Sequence, residues 1–133
     1  MEQHAALELV PELRAPRAAR AFAAETIAGW DLPADNVEPV QLVVSELVTN
    51  ALRHAPQSRT VTLELVLMDD CIRVLVSDGG AGEPERNQPE PESDVRGRGI
   101  WIVDAFTERW GTQRDDRGGK TVWGELRVGA TPT

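Results

Sequence analysis

The 133-residue sequence predicts a single α+β domain over residues 1–133, a two-layer sandwich in which helices cover one face of a mostly antiparallel sheet. A chain of this length buries one hydrophobic core and leaves little for a second one. Two long segments repeat apolar residues at helical spacing, and several shorter, β-branched segments are bounded by turn residues. Their order, β-α-α-β-β-loop-α-β-β, allows the helices to gather on one side of the sheet.

Prolines mark the ends of the first strand and the start of the first helix. Residues 5–10 (AALELV) form a predicted strand, and Pro11 restricts it to the edge of a sheet because proline cannot donate a ladder hydrogen bond. Pro16 suits the first turn of a helix. Apolar residues then recur at helical spacing up to about Trp30, so we expect a helix over this stretch.

The second helix is expected over Val37–His54, where valines and leucines form a broad apolar stripe. The turn cluster DLPADN precedes it, and Asp35 or Asn36 can cap its first turn. Ala55-Pro56 ends it, because the residue before a proline avoids the helical conformation.

The second half of the chain contains two predicted hairpins with a loop and a helix between them. Four short segments are the predicted strands: 60–67 with 71–77, and 110–114 with 120–128. Met68-Asp69-Asp70 is the turn of the first hairpin. The segment GIWIVDAFTERW (99–110) predicts a helix with Ile100, Val103 and Phe106 on one face.

Residues 79–98 (GGAGEPERNQPEPESDVRGR) differ in character from the rest of the chain. Gly, Pro and Glu dominate, and no helical or strand periodicity is present. A loop of this length in a compact domain is either functional or disordered, and the composition alone is compatible with both.

Composition excludes several classes of function. The net charge of -8 argues against binding of nucleic acid, which needs clustered Lys and Arg to neutralise phosphates. No apolar run approaches the roughly 20 residues that span a bilayer, and the N-terminus lacks the pattern of a signal peptide. The one cysteine, Cys71, cannot form an internal disulfide. A cytoplasmic location is therefore expected.

A row of polar side chains lies along the second predicted helix. Glu46, Asn50 and His54 are spaced four residues apart, which places them on one face beside the apolar stripe. The Asn50 amide oxygen is a neutral ligand suited to Mg²⁺, and the Glu46 carboxylate can accept a proton. His54 either tunes this corner or caps the helix end, where a cation is favoured. Without another motif, a solvated helix face is the simpler interpretation.

A second motif, VSDGGAGEP, follows a predicted strand directly. The Asp78 carboxylate only accepts hydrogen bonds, so it can receive the exocyclic amino hydrogen of adenine and would not accept the carbonyl of guanine there. Gly80 and Gly82 allow the backbone to approach the ring closely. A plain strand-to-loop turn has the same composition, so this motif alone is a weak signal.

A third motif, RGRGIWIV, places glycines at the start of the third predicted helix. Unpaired backbone N–H groups at a helix N-terminus form an anion site, and Gly97 and Gly99 allow them to reach a phosphate. Arg98 can add positive charge. A flexible helix start is the alternative interpretation.

The three motifs occur in one order, ELVTNALRH, DGGAG, GRGIWIVDAF and then GKTVW, and together they resemble the histidine-kinase-like ATPase superfamily, whose nucleotide site is called the Bergerat fold. The similarity extends from the first strand to GKTVWGEL and is strongest to small proteins related to bacterial anti-sigma factor serine kinases. The resemblance implies an ATP and Mg²⁺ site, with residues 79–98 as a flexible ATP lid.

The resemblance also implies a role for each motif residue. Asn50 corresponds to the magnesium ligand, Glu46 to the catalytic base and Asp78 to the adenine-reading residue, with Gly80 and Gly82 as its glycines. The trio Gly97, Arg98 and Gly99 corresponds to the phosphate-contacting end of the lid. Thr121 corresponds to a late-strand threonine that supports Asp78, and a β-branched strand residue is the alternative. Lys120 reads equally well as a turn residue.

Two departures from the family pattern bear on function. The lid is short and acidic, and no phosphoacceptor histidine domain accompanies the motifs. The phosphoryl group would then go to another protein or to water. The resemblance implies a serine/threonine protein kinase that transfers the γ-phosphoryl group of ATP to a partner protein, an anti-sigma factor antagonist. The alternative is a catalytically weak ATP-binding module that sequesters a sigma factor or another regulatory partner. The oligomeric state stays open between monomer and homodimer.

Overall fold

The computed structural model describes residues 2–54, 60–78, 103–114 and 119–128. Five strands form one antiparallel sheet: β1 (Glu2–Leu9), β2 (Val61–Met68), β3 (Cys71–Asp78), β4 (Arg109–Arg114) and β5 (Lys120–Arg127). Their order in the sheet is β1-β2-β3-β5-β4. The first strand is at the edge, as Pro11 predicts, and begins earlier than the expected 5–10.

Two long helices form the second layer. Helix α1 spans Ala15–Gly29 with Pro16 in its first turn, and α2 spans Val37–His54, which confirms the predicted bounds of the second helix. A short 3-10 helix, Ala34–Asn36, precedes α2. The side-chain amide of Asn36 donates a hydrogen bond of 2.8 Å to the carbonyl of Pro33, so this turn is closed locally.

The core lies between the helices and one face of the sheet. Alternate residues of β2 and β3, such as Leu63, Val74 and Val76, are fully buried, and Ile27 of α1 and Val44 of α2 are buried against the same layer. Full burial of a side chain of this size contributes about 1.5–3 kcal/mol. The α+β sandwich with helices on one face is therefore confirmed.

The turn between β2 and β3 is tighter than expected. Met68 remains in β2, and Asp69 and Asp70 alone make the connection. Asp69 has a φ of 52°, in the left-handed region that Asp tolerates better than most residues because its side chain bonds locally.

The third predicted helix, 99–110, is wrong at its C-terminal end. Residues 103–106 are helical, but β4 begins at Arg109 and pairs with β5. The backbone N–H and the hydroxyl of Thr107 both donate to the carbonyl of Val103, which closes the last turn. Val103 is 1% exposed, whereas Phe106 is 41% exposed and does not join the core face predicted for it.

The sheet face away from the helices carries a charged group of residues, which we term the outer-face cluster: Arg73, Arg109, Trp123 and Glu125. Glu125 stands opposite Arg73 on one neighbouring strand and opposite Arg109 on the other. Both guanidinium groups lie over the Trp123 ring, 5.7 and 5.8 Å from its centre. The cluster thus joins β3, β4 and β5 on the outer face.

Two further expectations concern the lid and membrane-spanning segments. The predicted lid at 79–98 lies outside the described residues. Within the described ranges, no helix has the length and apolar character needed to cross a membrane.

Candidate functional site

Helix α2 presents its polar row at the edge of its buried stripe. Val43, Val44 and Leu47 pack in the core, while Glu46 and Asn50 are half-buried. The helical spacing therefore places both polar side chains beside the sheet and not in open solvent. The His54 backbone ends the helix, and its side chain lies outside the part of the structure that is described.

The C-terminal half of α2 and the ends of two central strands enclose a small cavity. It is lined by Asn50, Ala51, Val76, Asp78, Lys120 and Val122. Its volume of about 20 Å³ holds roughly one water molecule. The cavity is much smaller than a nucleotide, so it can represent only the inner end of a nucleotide site.

Asp78 ends β3 on the helix side of the sheet. It follows the alternation of Val74 and Val76, whose side chains are buried under the helices. Its Oδ1 accepts a hydrogen bond of 3.3 Å from the backbone N–H of Lys120. A carboxylate accepts several hydrogen bonds, so this contact orients Asp78 and leaves capacity for a ligand.

The structure brings Asn50 and Asp78 to the same cavity, although they belong to different sequence motifs. Glu46 lies one turn before Asn50 on α2 and, among the described residues, is not one of those that line the cavity.

Thr121 lies in the late strand β5, as expected, with its side chain on the face opposite to that of Lys120 and Val122. Successive strand residues point to opposite faces, so the side chain of Thr121 is on the outer face when Lys120 and Val122 line the cavity. The Thr121 hydroxyl is 2.7 Å from the hydroxyl of Ser77. Its support of Asp78, direct or through water, stays a prediction.

The sequence left Lys120 open as a turn residue, and the structure places it in this site as the first residue of β5. Lys120 is one of the residues that line the cavity, and its backbone N–H donates a hydrogen bond to Asp78. A signal was available, because in paired antiparallel strands the residue opposite Asp78 shares its face. Using it requires the register of β3 against β5, which the sequence does not supply.

The remaining motif residues cannot be placed against this geometry. Gly80, Gly82, Gly97, Arg98 and Gly99 lie outside the described residues, and their roles stay predictions.

The donor set can be compared with the needs of Mg²⁺. In the described ranges, no group of three or more His, Cys, Asp or Glu side chains could hold a metal ion. Mg²⁺ often binds through one or two protein oxygens together with phosphate oxygens and water. Asn50 fits that mode of binding, and a fully protein-built metal site does not fit these residues.

The chain is similar to several known proteins. Residues 9–124 match the histidine kinase-like ATPase domain family. The chain is 30% identical over 115 residues to an anti-sigma F factor of Geobacillus stearothermophilus, with 79% of each chain covered. It is 32% identical over 100 residues to an anti-sigma F factor of Oceanobacillus iheyensis, with 68% of each covered.

A solved structure shows the same fold. The chain with the RsbU and RsbW domains of Rv1364c from Mycobacterium tuberculosis superposes with a TM-score of 0.69 at 19% identity. The match covers 95% of the present chain and 32% of that longer chain. By the extent of the family match and the identity to its relatives, this protein belongs to the histidine kinase-like ATPase domain family.

Proposed function

We propose that this protein is an ATP-binding regulator of the anti-sigma factor type and a serine/threonine protein kinase, which phosphorylates a protein partner in the cytoplasm. The observation that carries the proposal is the shared cavity of Asn50 and Asp78 at the junction of α2 and β3. The similarity to anti-sigma F factors supports the regulatory role. A sigma factor as the bound partner and an antagonist of the anti-sigma factor as the phosphoacceptor fit that role.

Different residues would bind the base, the metal ion and the phosphates. Asp78 accepts a hydrogen bond from the exocyclic amino group of adenine, and its hydrogen bond from Lys120 keeps the carboxylate in place. The Asn50 amide oxygen takes one coordination position of Mg²⁺. The bound ion would neutralise charge on the phosphates. Gly97, Arg98 and Gly99 are proposed to contact the phosphates.

Glu46 is the proposed catalytic base. The hydroxyl of a partner serine or threonine gives its proton to the Glu46 carboxylate, and its oxygen forms a bond to the γ-phosphorus. The bond from the γ-phosphorus to the bridging oxygen breaks, and ADP leaves with that oxygen. Most of the rate of such a transfer comes from positioning and charge stabilisation.

The proposal is tested by titration with ATP and Mg²⁺. Asp78→Asn replaces an acceptor oxygen by an amide, and Asn50→Ala removes the metal ligand. Each is expected to weaken ATP binding about tenfold or more, since hydrogen bonds to charged groups contribute about 1.5–3 kcal/mol. Asp70→Asn is the matched control, because it removes a carboxylate from the turn at the opposite end of β3. Unchanged affinity in both site variants would disprove the assignment.

A second function, sequestration of the partner with ATP only as a bound ligand, is favoured by one observation. Glu46 does not line the cavity that holds Asn50 and Asp78. Glu46→Gln separates the two functions. Partner binding with loss of phosphotransfer means that the protein performs both. Absence of phosphotransfer to any candidate partner by the wild-type protein would leave sequestration alone.

A further inference from the structure

Strand β1 forms one edge of the sheet and is paired along one side only. All eight of its residues pair with β2 in one unbroken register, from Glu2 opposite Met68 to Leu9 opposite Val61. On its other side, no segment in the described part of the chain pairs with it. The strand contains no proline and no residue with a positive φ. Alternate N–H and C=O groups therefore face outward in a geometry that can pair with one more strand.

The outer face of β1 carries a row of acidic side chains. Leu9 is buried in the core, so the even-numbered residues, which include Glu2, His4 and Glu8, lie on the outer face. The His4 ring nitrogens lie 3.1 Å from a carboxylate oxygen of Glu2 and 3.3 Å from one of Glu64, yet these two side chains stay 56% and 40% exposed. Among the described residues, no cation lies within salt-bridge distance of Glu8. An added strand would meet negative charge on this face.

Apolar side chains border the same edge on its other face and at its end. Ala5 and Leu7 alternate with the acidic row on the helix side and are only partly buried. Val10 and Leu13 follow the strand directly and are 64% and 98% exposed. Single exposed apolar residues are common. Here two large ones stand beside an open strand edge, and a partner bound there would remove apolar surface from water.

We propose that the β1 edge is a docking site for an extended segment of a protein partner, which adds one strand to the sheet. The segment carries Lys or Arg on the outer face, opposite Glu2 and Glu8, and apolar residues at the alternate positions. Backbone hydrogen bonds supply affinity, and the alternation of side chains selects the partner. A second copy of this chain fits less well, because each copy would bring two like-charged glutamates to the contact. No described β1 residue lines the cavity of Asn50 and Asp78, so the inference does not depend on the proposed nucleotide site.

Hydrogen exchange of the β1 amides tests the inference with two peptide probes. Both peptides are capped and as long as β1; one alternates lysine with valine, and the other alternates glutamate with valine. The lysine peptide at saturation should slow exchange of every second β1 amide about tenfold or more, because each outward N–H gains an acceptor. The glutamate peptide should leave these rates unchanged, because its charge repels the acidic row.

A charge reversal on the strand gives the second measurement. The double variant Glu2→Lys, Glu8→Lys should bind the lysine peptide about tenfold more weakly, since two attractive cross-strand pairs become repulsive, and should bind the glutamate peptide instead. Glu25→Lys, Glu38→Lys is the matched control, because it makes the same change of charge at exposed positions of α1 and α2. It should bind the lysine peptide as the wild type does. Circular dichroism and the urea midpoint check that both double variants are folded.

Three results would overturn the inference. Unchanged β1 exchange with the lysine peptide would mean that the glutamates only keep other strands away from this edge. Equal weakening in both double variants would mean that the peptide responds to net charge and not to the edge. Sedimentation as a dimer, with alternate β1 amides already slow without peptide, would assign the edge to a second copy of the chain. Failure to bind ATP would disprove the proposed function and leave this inference standing.

Discussion

Replacement of Glu125 by Gln should destabilise the protein by about 1.5 kcal/mol. Glu125 receives hydrogen bonds from Arg73 and Arg109 and is the only carboxylate that the outer-face cluster contains. The Arg73 Nε to Oε2 distance is 2.8 Å, and the Arg109 Nε and Nη2 atoms are 3.0 and 2.9 Å from Oε1. Glutamine keeps the shape and one acceptor oxygen but removes the charge.

The magnitude follows from how much water reaches each partner. The Glu125 side chain is 10% exposed, that of Arg73 35% and that of Arg109 67%. An exposed ion pair contributes about 0.2–1 kcal/mol to stability. Because Arg109 is largely exposed, its ion pair with Glu125 should contribute near the lower end of this range. The bond to Arg73 is better shielded and accounts for about 1 kcal/mol. The two guanidinium groups on Trp123 would also lose their counter-charge.

Urea unfolding measures this effect. With a slope of about 1–3 kcal/mol per molar urea, the midpoint of Glu125→Gln should fall by about 0.5–1.5 M. Arg109→Met is the internal comparison and should cost less than Arg73→Met. A change below about 0.5 kcal/mol, as for an ordinary surface substitution, would refute the interpretation of the cluster.

The same cluster should contribute to acid sensitivity. Burial opposes ionisation of Glu125, but the hydrogen bonds from Arg73 and Arg109 outweigh it and lower the pKa of the carboxyl below its ordinary 4.5. A lowered pKa in the folded state stabilises the protein fully above the unfolded pKa, and this contribution is lost as pH falls through the folded pKa. Stability of Glu125→Gln should therefore fall less steeply than wild type in that acidic range.

Two other predictions follow from single contacts. Gly124→Ala should destabilise the fold by about 1–3 kcal/mol, measured by calorimetry, because the new Cβ would lie 2.9 Å from Cγ2 of Thr107. His4 should titrate with a pKa above its ordinary 6.5, because Glu2 and Glu64 accept its hydrogen bonds, and NMR of the imidazole protons measures it. Its contribution to stability is present below the unfolded pKa and is lost as pH rises through the folded pKa.

Each of these two predictions has a control in the same chain. Gly29 is the last residue of α1, and a Cβ added there would contact no other atom. Gly29→Ala should therefore leave the free energy of unfolding unchanged or raise it slightly, by up to about 1 kcal/mol. Glu64→Gln should lower the pKa of His4, whereas Glu8→Gln on the same edge strand should not. A Gly124→Ala protein as stable as wild type, or an unshifted His4, would contradict the geometry.

The sequence predicted α2 at its observed bounds because a long apolar stripe and flanking turn signals agree there. It was less accurate where pairing between distant residues decides the structure. The segment FTERW can be read as helical, yet Arg109 and Trp110 pair with β5, since that edge of the sheet offers a ladder of hydrogen bonds. The observed ends of other strands differ from the predicted ends by a residue or more, because they too depend on pairing between distant segments.

In the candidate site too, local sequence patterns predict some residues, whereas others depend on how distant strands pair. Glu46 and Asn50 follow from helical spacing, and Asp78 follows from its place after a buried strand. The choice between Lys120 and Thr121 could not be made from sequence, because it depends on which face of β5 each residue occupies. That face is fixed by the register with β3, and a shift of one residue would exchange the two side chains.

The central position of β3 in the sheet bears on how rigid the proposed nucleotide site is. β3 is paired on both sides and covered by α2, so its amide protons should be among the slowest to exchange with deuterium. Asp78, the residue proposed to read the base, is anchored at the end of this strand by the Lys120 N–H. Binding of a nucleotide at the proposed site would therefore cost little conformational entropy in the sheet, and the preorganised carboxylate would favour affinity through rigidity as well as through contact.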